Sequence, residues 1–114
     1  MPGYFQFKRH ERLKSQNEIR KVFNCGKMVQ CYGAKLLVIK NTVSYNRIAF
    51  TFSRKFGNAV ERNRARRLAR EAYRHIRPSL ACGYDMVVLV FPGHDSLARR
   101  KEQLTFLCKE IGLC

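Results

Sequence analysis

The sequence has few acidic residues, few prolines and no tryptophan. Eight Asp or Glu residues accompany 23 Lys or Arg residues in 114 positions, and the formal net charge is +15. A charge of this size and sign attracts polyanions, with an affinity that falls as salt rises because bound counterions are released. Metal-dependent cleavage of phosphodiesters usually needs several converging acidic ligands, and the few carboxylates form no cluster in the sequence. The composition therefore favours binding of nucleic acid over independent nuclease chemistry.

Long apolar runs are also missing. No stretch approaches the roughly 20 apolar residues of a membrane-spanning helix, and 1–10 lacks the apolar segment and cleavage site of a signal peptide. The five cysteines have no Cys-x-x-Cys pair and no regular spacing, which predicts reduced thiols without a zinc site. We therefore expect a cytoplasmic protein that has no membrane partner and no bound metal of its own.

The length of the chain suits one domain with its own core. We expect a single RNA-binding domain over 1–114. Its first 14 residues are aromatic and then basic, and two interpretations stay open for them: a flexible arm that touches RNA, or a terminus with a few docked aromatic side chains.

Two helices are predicted near the ends of the chain. Ser15 and Glu18 have the spacing of a capping box before a short helix, and Gly26 offers its C-terminal cap. A last helix begins near Leu97, capped by Asp95 or Ser96. Its apolar residues Leu97, Leu104, Leu107 and Ile111 are expected to face the core.

Three segments have strand character. Residues 32–40 contain a β-favouring apolar run, and 47–52 alternates apolar and polar residues, so we expect these two segments to form a hairpin. The continuous apolar run over 86–91 predicts a strand that is covered on both faces. The element order is α-β-β(-β)-α-β-α, which predicts an α+β fold: a single-domain α/β sandwich with helices packed on one sheet.

The central helix has the clearest boundaries. Asn58 can accept a hydrogen bond from the first turn, and Glu61 completes a capping box. Pro78 disfavours the helical conformation at Arg77 and ends the helix there. We therefore expect a helix over 59–77.

Most basic residues share one face of this helix when each residue advances it by about 100°. The polar face comprises Arg62, Asn63, Arg66, Arg67, Arg70, Arg74 and Arg77. The apolar face, which we expect to meet the core, comprises Ala65, Leu68, Ala69, Ala72 and Ile76, with Tyr73 at its boundary. Arg64 falls apart from the basic face, and we expect it to contact another part of a ligand or to brace the preceding loop.

A one-sided charge run is more often a solvated helix face than a binding site. Solvated faces usually alternate acid and base at i and i+4, whereas Arg62, Arg66 and Arg70 repel one another at that spacing. From Arg54 to Arg77, nine basic residues accompany two glutamates, which gives a net charge of +7. A polyanion would neutralise this charge, and arginine binds phosphate through two parallel hydrogen bonds. We therefore interpret the face as a nucleic-acid-binding surface.

The segment 56–71 closely resembles the Arg-Asn-Arg signature of the bacterial ribonuclease P protein family. The likeness covers most of the chain, from Arg12-Leu13-Lys14 and the first helix to the late apolar strand and the last helix. It implies the family's α/β sandwich with a left-handed crossover through the central helix, although such crossovers are right-handed in almost all proteins. The residue spacing by itself indicates no hand.

The resemblance also implies a function. Ribonuclease P removes the 5′ leader of precursor tRNA, and in bacteria a large RNA performs the metal-dependent hydrolysis. The protein would then be an accessory subunit without catalytic residues, its partners the catalytic RNA and precursor tRNA, with Mg²⁺ held through the RNA and no stable protein partner. The residues expected to contact RNA are Arg54, Lys55, Arg62, Asn63, Arg64, Arg66, Arg67, Arg70 and Arg74.

A cleft for the single-stranded leader is implied between the first helix, the sheet and the start of the central helix. Phe23 matches one of its aromatic positions, whereas Ile19 and Leu37 stand where many family members have aromatic residues. A core position on an amphipathic helix explains Phe23 equally well. Stacking and positive charge together would tolerate many leader sequences.

Two other functions fit the composition. A structural RNA-binding protein of the ribosomal type would have similar size and charge, and only the signature argues against it. A nuclease that acts without RNA is disfavoured by the scattered carboxylates.

Overall fold

The structure is a computed structural model that describes residues 9–93 and 96–114. Most of the predicted arm, and Asp95 as a helix cap, lie outside the described residues. The side chains of Arg9 and Arg54 lie outside them as well.

In the described part of the chain, four strands form one mixed sheet. They are β1 (Lys27–Cys31), β2 (Ala34–Lys40), β3 (Arg47–Phe52) and β4 (Tyr84–Val90), in the spatial order β1-β2-β4-β3. β2 pairs antiparallel with β1 and β4, and β3 pairs parallel with β4. The most continuous apolar run, in β4, therefore lies in the interior of the sheet.

The predicted hairpin between β2 and β3 is wrong, because β4 lies between them. The hairpin instead joins β1 and β2 through Tyr32 and Gly33, and Gly33 adopts the positive φ of 91° that such a tight turn favours in glycine. β1 is a mostly exposed edge strand. The alternation of apolar and polar residues in β1 is short and mostly polar, so the sequence does not distinguish this strand from a loop.

The α-helices of 9–93 and 96–114, three in number, cover the sheet unequally. They are α1 (Gln16–Cys25), α2 (Ala59–Ile76) and α3 (Leu97–Glu110). The larger core joins α2 and α3 to one sheet face through residues such as Leu36, Met86 and Leu107. A smaller core packs α1 on the other face through Val22, Leu37 and Val87. Helices therefore cover both faces, but a ten-residue helix covers the second face only in part.

The segment between the parallel strands β3 and β4 contains α2, which confirms the predicted crossover unit. Short 3-10 turns at Arg54–Phe56 and Arg77–Ser79 flank the helix. The left hand of this crossover stays a prediction from the resemblance. The start of α2 follows the carboxyl end of β3, beside the uncovered part of the sheet.

The buried side of α2 is rotated from the predicted face. Ala65, Ala69 and Ala72 are buried as expected, and Tyr73, predicted at the boundary, is only 1% exposed. Leu68 is half-buried, so the prediction that it lies in the core is wrong. The three alanines allow close approach of the neighbouring elements, and the large Tyr73 ring fills the space against Phe50, 6.3 Å between ring centroids.

α3 contributes an unexpected buried charge. Its cap is Ser96, and Leu104 and Leu107 are buried as predicted, while Leu97 and Ile111 are partly buried. Arg100 is 3% exposed, and its guanidinium donates to two backbone oxygens at the ends of strands, Gly33 O at 3.2 Å and Phe91 O at 2.9 Å. These bonds give the two terminal nitrogens of a buried cation acceptors and tie α3 to the β1–β2 turn.

Candidate nucleic-acid interface

The start of α2 has a fixed geometry. Gly57 has φ of 76°, and Asn58 Oδ1 accepts from the backbone N–H of Glu61 at 2.9 Å, which confirms the predicted cap. The guanidinium of Arg62 turns back and donates to Gly57 O at 2.8 Å. The first arginine of the signature is therefore anchored to the loop that it follows.

Cationic side chains line one side of α2. Arg62, Asn63, Arg64 and Arg67 are exposed, whereas Arg66, Arg70 and Arg74 are half-buried. Within 9–93 and 96–114, no ion pair forms to Arg62, Arg64, Arg66 or Arg67. Cations that have no ion-pair partner repel one another when they lie three or four residues apart on a helix. This side of α2 is therefore electrostatically suited to an anionic ligand.

Arg66 is held by an aromatic ring. Its guanidinium carbon lies 5.1 Å from the centroid of Phe52, and Phe52 meets Phe56 edge to face at 5.5 Å. Asn63 Oδ1 accepts a hydrogen bond from Arg66 at 3.3 Å. A guanidinium fixed in this way loses less conformational freedom when it binds phosphate.

Arg70 lies in a strongly positive environment. Burial lowers the pKa of its guanidinium, and the charges of Arg12 and Arg66 lower it further. Arg12 extends the sheet beside Ile48 of β3, which brings an N-terminal residue next to α2. This position of Arg12 could not be predicted from local sequence patterns, because the contact depends on the tertiary path of the chain.

Arg74 is the least available of the expected contacts, since Glu71 Oε2 accepts a hydrogen bond from it at 2.6 Å. Lys55 is exposed in the turn before α2.

We define the basic face as the set of described cationic and amide side chains that α2 and Arg12 bring together. It comprises Arg12, Arg62, Asn63, Arg66, Arg67, Arg70 and Arg74.

A partly buried ion-pair network links α1 to the other sheet face. Arg47 donates two hydrogen bonds to Asp85, both at 2.8 Å, and a third to Glu18 at 2.8 Å. The bonds to Asp85 raise the pKa of Arg47 despite its partial burial. Ser15 caps α1 by accepting from the Glu18 N–H at 3.3 Å, but the Glu18 carboxylate binds Arg47 in β3.

Phe23, on α1, is 44% exposed and offers a ring to solvent, and Ile19 is partly exposed. Leu37 is only 6% exposed and belongs to the core beneath α1. Its role is therefore to support the helix, and only Phe23 and part of Ile19 present surface to a ligand.

Beyond α1, a row of side chains crosses the sheet on the same face as Leu37. Strand pairing aligns Gln30, Lys35, Leu89 and Thr51 in this row. The Lys35 ammonium lies 6.0 Å from the Phe91 ring centroid, near the end of β4. Charge and an aromatic ring thus occur together beyond α1, a feature that appears only when the register is known.

The described residues contain no group of three or more His, Cys, Asp or Glu side chains that could hold a metal ion. Within the same part of the chain, no helix is long and apolar enough to cross a membrane. The chemistry that the site offers is binding of phosphate by guanidinium groups and stacking on rings.

Comparison with known proteins finds relatives over most of the chain. The ribonuclease P family model matches residues 7–112. The ribonuclease P protein component of Natranaerobius thermophilus is 39% identical over 98 residues, which cover 83% of each chain. The solved RNase P protein of Thermotoga maritima is 28% identical, with a TM-score of 0.77 over 87% of this chain and 96% of that one.

A mutant RNase P protein of Staphylococcus aureus has a TM-score of 0.83 over 92% of this chain and 91% of that one. At 19% identity it shows the shared fold alone. The residues matched by the family model include the signature helix, and the relative at 39% identity covers 83% of the chain. The chain therefore belongs to the ribonuclease P protein family, the accessory protein subunits of a tRNA-processing endoribonuclease that works with an RNA subunit.

Proposed function

We propose that the basic face of α2 binds the RNA subunit of ribonuclease P and the precursor tRNA near the cleavage site, within one RNA-binding domain. The observation that carries this proposal is the set of three arginines on this face, Arg62, Arg66 and Arg67, that form no ion pair within the described ranges. Anchoring of Arg62 to Gly57 O and of Arg66 over Phe52 supports it further. A preorganised cationic face binds the phosphate backbone with a smaller loss of side-chain entropy.

The proposed division of labour leaves hydrolysis to the RNA. Mg²⁺ would be held by RNA phosphates, and the protein would supply positive charge that lowers the repulsion between two RNA strands. A guanidinium group binds phosphate through its charge and its N–H donors, so the arginines of α2 would position RNA and would take no part in proton transfer.

Arg67→Ala tests the basic face. Removal of one phosphate contact should weaken binding to the RNA subunit and reduce the slope of log K against log salt concentration by about one unit. Lys109→Ala is the matched control, because Lys109 is an exposed cation on α3, and we expect its slope to equal that of the wild type. Equal slopes for all three proteins would refute the placement of phosphates on this face.

We propose further that the 5′ leader lies in the cleft formed by Phe23, the row that contains Lys35 and Thr51, and the turn that contains Lys55. The exposed Phe23 ring supports stacking of a leader base, and the two lysines supply charge along its backbone. Leu37 would not contact the leader; it would hold α1 in position from the core beneath that helix.

Phe23→Ala tests the cleft. In the holoenzyme, it should weaken binding of a precursor tRNA with a leader by roughly 5-fold or more, as expected for one lost stack, and leave binding of leaderless tRNA unchanged. Phe106→Ala is the control, since Phe106 is a similarly exposed ring on α3. Equal losses with and without the leader would contradict the assignment of Phe23 to the leader.

A further inference from the structure

A second concave feature lies at the other end of α2. It is a pocket of about 460 Å³ between the first 3-10 turn, the loop before β3 and the turn after α2. We call it the Tyr45 pocket. Its lining includes His10, Glu11, Tyr45, Arg77, Pro78 and Leu80.

Aromatic and apolar groups form much of its wall. The rings of His10 and Tyr45 meet edge to face, with centroids 4.8 Å apart. Pro78 and the buried Leu80 contribute apolar surface. Rings held against each other and beside a proline offer a rigid surface for a flat partner, because little side-chain entropy is lost on contact.

The charges inside the pocket are compensated. Arg77 donates a hydrogen bond to Glu11 at 2.7 Å, and the two side chains are only 20% and 9% exposed. A phosphate would have to compete with the Glu11 carboxylate for this guanidinium. The pocket therefore suits a neutral group that has its own hydrogen-bonding edge.

The frame of the pocket is rigid. Asn46, 7% exposed, donates to Ala81 O at 2.7 Å and accepts from the Tyr84 N–H at 2.9 Å. These bonds connect the loop before β3 to the loop before β4. Tyr45, the preceding residue, is thereby held at one position relative to Arg77.

The pocket adjoins the basic face at two points. Arg77 follows Arg74 by less than one helical turn, and Glu11 precedes Arg12, whose charge acts on Arg70. A strand whose phosphates follow the basic face would thus carry its bases past the mouth of the pocket. Bases in RNA loops and single strands can turn out of the stack and bind between protein side chains.

We propose that the Tyr45 pocket receives one unstacked nucleobase of the RNA that lies on the basic face. The inference rests on the proposed function, because it needs an RNA backbone along α2. It adds a base contact at the C-terminal end of the helix, where the nucleobase stacks on the His10–Tyr45 pair while the Glu11–Arg77 pair supplies acceptors and donors to its edge.

Tyr45→Ala tests the pocket, with thermal unfolding as a check on folding. Affinity for the RNA that supplies the base, either the RNA subunit or, in the holoenzyme, precursor tRNA, should fall by about 5- to 150-fold, the range for one lost base–aromatic stack. The slope of log K against log salt should not change, since a neutral ring releases no counterions. Tyr45→Phe keeps the ring and should keep the affinity, and His10→Ala should show a loss of the same kind.

Arg67→Ala, measured in parallel, separates the two proposals. A reduced slope for Arg67→Ala, with Tyr45→Ala and His10→Ala unchanged in affinity for both the RNA subunit and precursor tRNA, would overturn the base pocket and leave the basic face intact. An unchanged slope for Arg67→Ala would overturn both. Unchanged affinity for Phe106→Ala is the expected control result.

Chemical probing with dimethyl sulfate, which modifies unpaired A and C, and with a carbodiimide, which modifies unpaired U and G, identifies the RNA that supplies the base. At saturating protein, one unpaired base should be protected by the wild type and react again when Tyr45→Ala is bound. The RNA subunit and precursor tRNA are probed separately, and protection in either one supports the pocket. Identical protection patterns for wild type and Tyr45→Ala in both RNAs would contradict it.

Discussion

Cys108 and Tyr73 are buried ionisable side chains in the larger core. Cys108 is 3% exposed and Tyr73 is 1% exposed. Burial raises the pKa of the Cys108 thiol from 9.0 to about 12 and also raises the pKa of Tyr73. Both groups are neutral when protonated, so the folded state keeps its protons at a pH at which the unfolded chain has lost them.

The raised pKa of Cys108 makes stability depend on alkaline pH. Its contribution is complete below pH 9.0, the ordinary thiol pKa, and is lost progressively as pH rises towards about 12. Between these values the free energy of unfolding should fall with a slope of up to roughly 1.4 kcal/mol per pH unit from this group.

Urea unfolding at intervals from pH 8 to 11 measures this slope. In Cys108→Ala the decline should be shallower, because one of the groups that ionise on unfolding is removed. Cys25→Ala, which removes an exposed thiol, should retain the wild-type decline. Parallel curves for Cys108→Ala and the wild type would show that burial of this thiol has no effect on its ionisation.

The connection between α1 and β1 depends on one glycine. Gly26 ends α1 with its N–H bonded to Val22 O, but its φ of −77° is accessible to any residue. The reason for glycine is space, since an added Cβ would lie 2.6 Å from Val22 O and 2.9 Å from Val38 O. Both atoms belong to the backbone, so the contact cannot be relieved by a side-chain rotation.

Gly26→Ala should therefore destabilise the domain by about 1–3 kcal/mol, as overpacking does. Asn24→Ala, on the exposed side of the same helix, should change the free energy of unfolding by less than about 0.5 kcal/mol. Thermal or urea unfolding measures both. Wild-type stability in Gly26→Ala would mean that α1 shifts away from β2 at little cost.

Elements with strong local signals were predictable from the sequence. The cap at Asn58, the stop near Pro78 and the apolar period together define α2, because these effects act within a few residues. β1 has no such signal, and the pairing of β2 with β4 depends on contacts between distant segments. For the same reason the rotation of α2 that buries Tyr73 instead of Leu68 could not be read from helical periodicity.

The candidate site was predictable only in part. The arginines of α2 are adjacent in sequence, so their shared face follows from the helix alone. Tertiary packing brings Arg12 to the surface beside α2. It also brings Lys35 and Phe91 together on the sheet face beyond α1. The position of Leu37 beneath α1 likewise requires the register of the sheet.

At the scale of the whole molecule, the fold places the apolar core and the arginines of α2 on opposite sides of that helix. α3 and one sheet face bury the apolar side of α2, which leaves its arginines outward on a protein of net charge +15. The crossover also sets the start of α2 beside the uncovered end of the sheet. One end of the helix therefore adjoins the proposed leader cleft, and the other adjoins the Tyr45 pocket.

Crosslinking from a single cysteine tests the docking of α2 on RNA most directly. Val60 is 76% exposed at the start of α2 and shares a side with Arg67, two turns along. The variant Val60→Cys is made in a chain in which serine replaces the accessible Cys25, Cys31, Cys82 and Cys114. A photoreactive group attached to the cysteine at position 60 then lies at the start of α2, and no arginine is removed. Cys108 can stay, because it is buried.

Phe106→Cys in the same background places the group on the outer side of α3. If the basic face binds RNA, the probe at position 60 crosslinks to the RNA subunit in the holoenzyme, and the probe at position 106 yields few or no crosslinks. Crosslinking at position 106 that equals or exceeds that at position 60 would contradict the docking of α2 on the RNA.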